Sequence, residues 1–244
     1  MAAFRRVSGR DGALSMTIVI VGRRSGIRRL TTGERRLICR SSSSTRSEVK
    51  VSRKQVEENR SKVLEAAAML FRERGLEGIG IADLMKAAGL THGGFYRQFK
   101  SKGDFVVEAV RRAYETSSDE IRERIGAPTG DPFATLVRYY VSEEHRDHPG
   151  AGCSLATLAV DASRSEDPAL RSFFGTIVSR YLDLLVTIMP GEGVADRRSA
   201  AVAALSEMVG AVILSRVVPD PSLSREILDS VADDLLAAAG DEPD

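Results

Sequence analysis

Ala82-Asp83-Leu84-Met85-Lys86-Ala87-Ala88-Gly89-Leu90-Thr91-His92-Gly93-Gly94-Phe95-Tyr96-Arg97-Gln98-Phe99-Lys100-Ser101-Lys102 is the stretch on which the fold turns. A short helix over residues 80–88, with Asp83 in the first turn where a carboxylate suits the positive end of the dipole, runs into Gly89 and stops there. Leu90 is the one apolar residue of the turn and must point inward. Thr91 can cap a second helix over residues 92–99. Two short helices joined by about three residues that include Gly describe a helix-turn-helix.

Working outward, Ser52-Arg53-Lys54-Gln55 has the spacing of a capping box, so a first helix of about twenty residues begins there and ends at Gly75. Val56, Val63, Ala67, Leu70 and Phe71 form its apolar face. Phe95 and Phe99 are four apart and are expected to pack inward against Phe71 and Leu84. Tyr96 then falls on another face, with Arg97, Lys100 and Lys102 adding charge. Thr91, His92 and Gly93 stand at the leading end of the later helix, where backbone donors favour an anion. Glycine in a helix interior costs about 0.8 to 1 kcal/mol relative to Ala and less in a first turn. Gly93 and Gly94 therefore have two readings, a bare surface for close approach to DNA or a demand of the local chain geometry.

Beyond residue 103 the apolar residues keep a helical repeat. It is broken at Ala127-Pro128-Thr129-Gly130-Asp131-Pro132 and again at His148-Pro149-Gly150-Ala151-Gly152, and resumes over 155–162, 170–189, 198–218 and 223–238. No strand alternation interrupts it, so the chain is expected to be all-α. Residues 200–218 are apolar nearly all round, with only Glu207 and Arg216 charged, and such a helix needs a core or a partner.

Composition narrows the function. The 244 residues are 43% hydrophobic and 28% charged, which suits a globular protein and excludes a disordered or collagen-like chain. Uncharged stretches such as residues 149–160 run to about a dozen residues, and no membrane span is expected. The net charge of +1 hides an asymmetry: +9 over residues 1–50, +4 over 51–102 and −12 over 103–244. A polyanion would be drawn to the N-terminal half and repelled by the rest. Residues 1–51 are rich in Arg, Ser and Gly without helical periodicity, and are expected to be a disordered basic extension able to add sequence-independent phosphate contacts. Cys39 and Cys153 are too few and too far apart for a disulfide framework, which fits a cytoplasmic location.

The run from Ala87-Ala88-Gly89-Leu90-Thr91 through Gly94-Phe95-Tyr96-Arg97-Gln98-Phe99-Lys100-Ser101-Lys102, behind a helix of the right length, resembles the DNA-binding domain of the tetracycline-repressor family of bacterial transcriptional regulators. The resemblance implies three segments. Residues 1–51 precede the fold, 52–102 form a three-helix DNA-binding domain, and 103–240 form an all-helical ligand-binding and dimerisation domain. It further implies a homodimer on a double-stranded palindromic operator, released by a small-molecule inducer. Tyr96 and Lys102 would be phosphate clamps, with Thr91, His92, Gly93, Gly94, Arg97 and Lys100 completing the contact. Two places depart from the family's commonest pattern: Gly80 stands where Thr or Ser often caps the second helix, and Met85 where Ala is usual.

Inducer contacts carry no motif. Phe133, Tyr140, Phe173 and Tyr181 are candidates on aromatic character alone, with ordinary core as the competing reading. Cys153 follows Gly152 and is expected to open a helix, where the dipole favours a reactive thiolate. Some electrophile-sensing members of the family are similar at this place, with a Gly-Cys pair ahead of a segment like Ser163-Arg164-Ser165-Glu166-Asp167-Pro168-Ala169-Leu170-Arg171. A redox or electrophile sensor is thus one alternative and a buried small hydrophobe the other. His145, His148 and Cys153 lack a helical register and a fourth ligand, so neither a metal nor a cofactor is expected. No Ser-His-Asp ordering, phosphate-binding loop or carboxylate pair points to an enzyme. The remaining competitor is an architectural DNA-coating protein that ignores small molecules.

Overall fold

Asp-Pro pairs open three of the helices in the computed structural model, which describes residues 52–126, 130–190 and 193–240. The expectations for residues 1–51, Cys39 included, lie outside the described residues. The helices are α1 (Arg53–Arg74), α2 (Ile81–Ala87), α3 (Phe95–Gln98), α4 (Lys102–Ile125), α5 (Pro132–Tyr140), α6 (Glu143–Asp147), α7 (Leu155–Arg164), α8 (Pro168–Ile188), α9 (Val194–Val217) and α10 (Pro221–Ala239). A 3-10 turn, His92–Gly94, precedes α3. The all-α expectation holds: no strand occurs among the described residues.

In α5, α8 and α10 the Asp side chain accepts the N–H of Ala134, Ala169 and Ser222 respectively, while the Pro at the first helical position supplies a preset φ. Ser52 and Ser101 cap α1 and α4 in the same way, each taking the N–H three residues on. Only half of the expected capping box forms, because the Gln55 amide bonds Asn59 on the next turn instead. Gly75 ends α1 and Gly89 ends the turn after α2, both at positive φ that a side chain would resist. One short helix, α6, was not visible in the periodicity, since its five residues present a single turn.

α1 lies along α4 and carries α2, α4 packs on α5 and α8, and α9 is gripped by α7, α8 and α10. Phe95 and Phe99 are buried as expected. Their immediate partner is Phe105 at the start of α4, at ring distances of 5.0 and 4.7 Å, and Phe105 in turn meets Phe71 edge-on. Val56, expected on the buried face of α1, is exposed in the first turn of the helix. Helix α9 is long and apolar enough, by length and composition, to cross a membrane, which corrects the expectation that no stretch reaches that size. Its Arg216 donates to the carbonyls of His145, Arg146 and Ala156, tying the C-terminal turn of α9 to α6 and α7.

Candidate nucleic-acid interface and the buried centre of the helical body

The segment after Gly89 turns its aromatic stripe inward and its polar groups outward. Phe95 is fully buried, so the neighbouring Tyr96 is thrust out with 68% of its surface exposed, its ring edge-on to Phe95 at 5.2 Å. Thr91, Gly93, Arg97, Lys100 and Lys102 are exposed on the same segment and Gly94 is half-buried. The side chain of His92 lies outside what is described. Lys102 meets Glu77 at 3.4 Å in an exposed pair, which holds the ammonium only loosely. The helix expected over 92–99 is shorter than foreseen. Thr91 caps through its carbonyl, which accepts the Gly94 N–H, and α proper begins at Phe95.

The two readings of the glycine pair can now be weighed. Neither Gly93 nor Gly94 adopts a positive φ, and a Cβ on Gly93 would meet nothing within 4 Å. A Cβ on Gly94 would meet only the Met85 terminal methyl, at 3.5 Å. The chain geometry makes no demand for glycine at 93. Met85 is fully buried and reaches toward Gly94, which accounts for the large side chain at a position where Ala is usual, and Gly80 caps α2 with no side-chain bond.

The second cluster lies inside the helical body. Cys153 is buried and precedes the N-cap of α7, Ser154, rather than opening the helix itself, which corrects the sequence expectation. Its N–H donates to His145 Nε2 at 2.9 Å, and its Sγ donates to the Tyr181 hydroxyl at 3.4 Å. Because Nε2 accepts, Nδ1 carries the imidazole proton and donates to the Tyr140 carbonyl at 2.6 Å. Burial lowers the His145 pKa to about 4. Burial, and after it the neighbouring Cys153 and Tyr181, push the Tyr140 hydroxyl well above the usual phenol range. Burial likewise raises Tyr181. Two guanidiniums flank this centre. Arg72 from α1 donates to the carbonyls of Ala68, Ala113, Ala151 and Gly152, and Arg216 holds the three carbonyls named above. Burial lowers the pKa of both.

Phe133, Tyr140, Phe173 and Tyr181 are all buried, with Phe173 and Tyr181 both edge-on to Tyr114. Two grooves of about 400 and 480 Å³ lie where the start of α4 meets the start of α8, and none of the four lines either. Sequence reasoning missed Arg72, Arg216, Tyr114 and His145 as members of one centre. Arg72 could have been noticed, since it falls beside Phe71 on a helix face that is otherwise apolar. No cluster of His, Cys, Asp and Glu that could hold a metal occurs among the described residues.

Comparison with known proteins places these features. Residues 63–109 match the family described as bacterial regulatory proteins, tetR family. The chain is 28% identical over 169 residues to an HTH-type transcriptional regulator of Mycobacterium tuberculosis, covering 66% of this chain and 86% of that one. It is 40% identical over 88 residues to the HTH-type transcriptional repressor KstR2 of the same organism, covering 36% and 44%. In fold it is similar to the crystal structure of a TetR-family transcriptional regulator from Cytophaga hutchinsonii. The TM-score is 0.64 at 22% identity, over 76% of this chain and 96% of the other.

Proposed function

The chain belongs to the tetR family of bacterial regulatory proteins and is a DNA-binding transcriptional regulator rather than an enzyme, and from that premise we propose that it is a homodimeric, cytoplasmic repressor released from a palindromic operator by a small molecule. One observation carries the reading. The segment 91–102 buries Phe95 and Phe99 and projects Tyr96, Arg97, Lys100 and Lys102 together, beside a glycine at 93 that the fold itself does not require. Tyr96 and Lys102 take phosphates, and Thr91, His92, Gly93 and Gly94 lead into the groove, with Arg97 and Lys100 adding charge. The bare surface at 93 lets the backbone close on DNA. Residues 52–102 act as the reading head and 103–240 as the ligand-binding and dimerising body, with α4 running from one into the other.

The dimer follows from exposed apolar groups. Val202, Leu214 and Val217 on α9 and Leu223 on α10 are 41% to 72% exposed, on helices whose other faces are packed. A second copy pairing the same two helices would cover them as a four-helix bundle. A two-fold dimer sets two reading heads about 34 to 36 Å apart on one side of DNA, the repeat of a palindrome. Inducer in the body would shift α4 and change that spacing, and the size of the response follows from its differential affinity for the two states.

A second reading makes Cys153 the sensing group, supported by its position between the Tyr181 hydroxyl and the loop that Arg72 grips. Band shifts on the DNA flanking the gene, repeated at several salt concentrations, test the main reading. A repressor exceeds its own non-specific binding by roughly 10³ or more, and an architectural protein does not. If Cys153→Ser leaves release by N-ethylmaleimide or peroxide unchanged, the sensor reading is gone.

A further inference from the structure

We infer that the stretch from Gly150 to Asp161 straps α1 to the helical body, so that α1 as well as α4 transmits the state of the buried centre to the reading head. The inference rests on the two-headed repressor reading and names the residues that would carry its coupling.

Three contacts from this one stretch of chain hold the last turns of α1 and the residues just past its end. At the first, Gly150 is buried against Met69 and Glu73 so closely that a Cβ on it would fall 2.7 Å from Glu73 Oε1 and 3.1 Å from Met69 Cγ. At the second, Arg72 reaches the carbonyls of Ala151 and Gly152 at 3.2 and 2.9 Å, and that of Ala113 in α4 at 3.4 Å. At the third, just past the end of α1, the Leu76 N–H donates to Asp161 Oδ2 at 3.0 Å. Gly75, at φ +78°, brings the chain so near that a Cβ there would lie 3.1 Å from the same oxygen.

The nature of the middle contact makes the strap stiff. Arg72 is 6% exposed, and it donates to carbonyls contributed by α1, α4 and the 151–152 loop. A buried guanidinium held by carbonyls depends on every dipole that faces it, so pulling one of the three segments away while Arg72 stays buried leaves donors without acceptors. The same loop ends at Cys153, whose N–H and Sγ are bonded to His145 and Tyr181. A change at Tyr181 or His145 therefore moves the carbonyls that Arg72 holds, through contacts that touch at every step. α1 packs on α2, and α2 on the 3-10 turn that leads into α3, so a shift of α1 passes into the head through α2.

The test measures how tightly the spacing of the two heads is set. On an operator mapped by footprinting, one base pair is inserted between the half-sites and the loss of affinity is measured for the full-length chain. Asp161→Ala removes the acceptor for Leu76 at a half-buried surface position and is expected to shrink that loss by about three- to tenfold, the weight of one hydrogen bond. Asp161→Asn keeps an acceptor oxygen and is expected to restore the original loss. A merely structural role for Asp161 would lower the melting temperature and leave the spacing penalty alone; that outcome overturns the inference. Should Asp161→Ala fail to fold, hydrogen exchange on the unaltered protein decides. Amides of residues 76 and 151–153 should gain protection on operator binding, and no change there also overturns it. If the unaltered chain prefers no sequence, the repressor reading falls first and takes the strap with it; if it prefers one but the penalty is unmoved, the strap alone is wrong.

Discussion

The reading head and the helical body solve different physical problems with the same helices. In the head the decisive residues are neighbours in sequence: Phe95 goes in, Tyr96 goes out, and Gly89 turns the chain within a span that one motif covers. In the body the decisive groups come from α1, α4, α6, α8 and α9, and they meet only after the chain has closed on itself. The segment 91–102 keeps its charges in water, where each is cheap to hold. The body buries two guanidiniums and a histidine and must satisfy each by geometry.

The comparison breaks first, and most visibly, at the aromatic cluster. Phe95→Ala should destabilise the chain by about 3 to 5 kcal/mol, the range for emptying a buried aromatic site, as read by chemical denaturation. A loss below 1 kcal/mol would mean that the head does not hang on that cluster.

Acid should find the body next. His145 has its pKa lowered to about 4 against the usual 6.5, so above pH 6.5 both folded and unfolded states are neutral and its contribution is complete. As pH falls from 6.5 to 4 the unfolded chain takes up a proton that the folded chain refuses, and about 3 kcal/mol of stability is lost. His145→Gln should remove that slope from a stability-versus-pH series, and an unchanged slope would place it on other groups.

Charge in the head should matter for binding and hardly at all for folding. Lys102→Ala is expected to leave thermal unfolding unchanged while reducing the slope of log affinity against log salt by about 0.9, one phosphate contact's worth. Equal slopes would remove Lys102 from the interface.

The smallest expected effect on folding is the most pointed. Gly93→Ala has open space and an ordinary backbone, so stability should stay level or rise by about half a kcal/mol, while DNA affinity falls. A variant that folds and binds as before would show that the bare surface serves no approach.

Much of the fold was legible beforehand. The first helix from Ser52, the Gly75 and Gly89 stops and the inward pair Phe95 and Phe99 all follow from capping chemistry or from a spacing of four residues. Elsewhere the reading fell short for definite reasons. Thr91 has the right chemistry for a side-chain cap, but the 3-10 turn uses its carbonyl. Cys153 follows a glycine as a helix opener might, yet His145 has already taken its N–H. The four aromatic residues named for an inducer are buried, and aromatic character alone does not distinguish a filled interior from the wall of a ligand site.

The amino-acid sequence by itself determined where the helices start and stop, which face of each is apolar, and that a turn of this composition sets a tyrosine and three cations beside one another. Only the tertiary structure decided that Arg72 would find its acceptors at Ala151 and Gly152, some eighty positions away, and that His145 would be locked in one neutral tautomer between Tyr140 and Cys153. The reason is the range of the forces. Helix caps and periodicity are settled within a few bonds of the residue that shows them, whereas the environment of a buried charge or thiol is the sum of groups that no local pattern brings together.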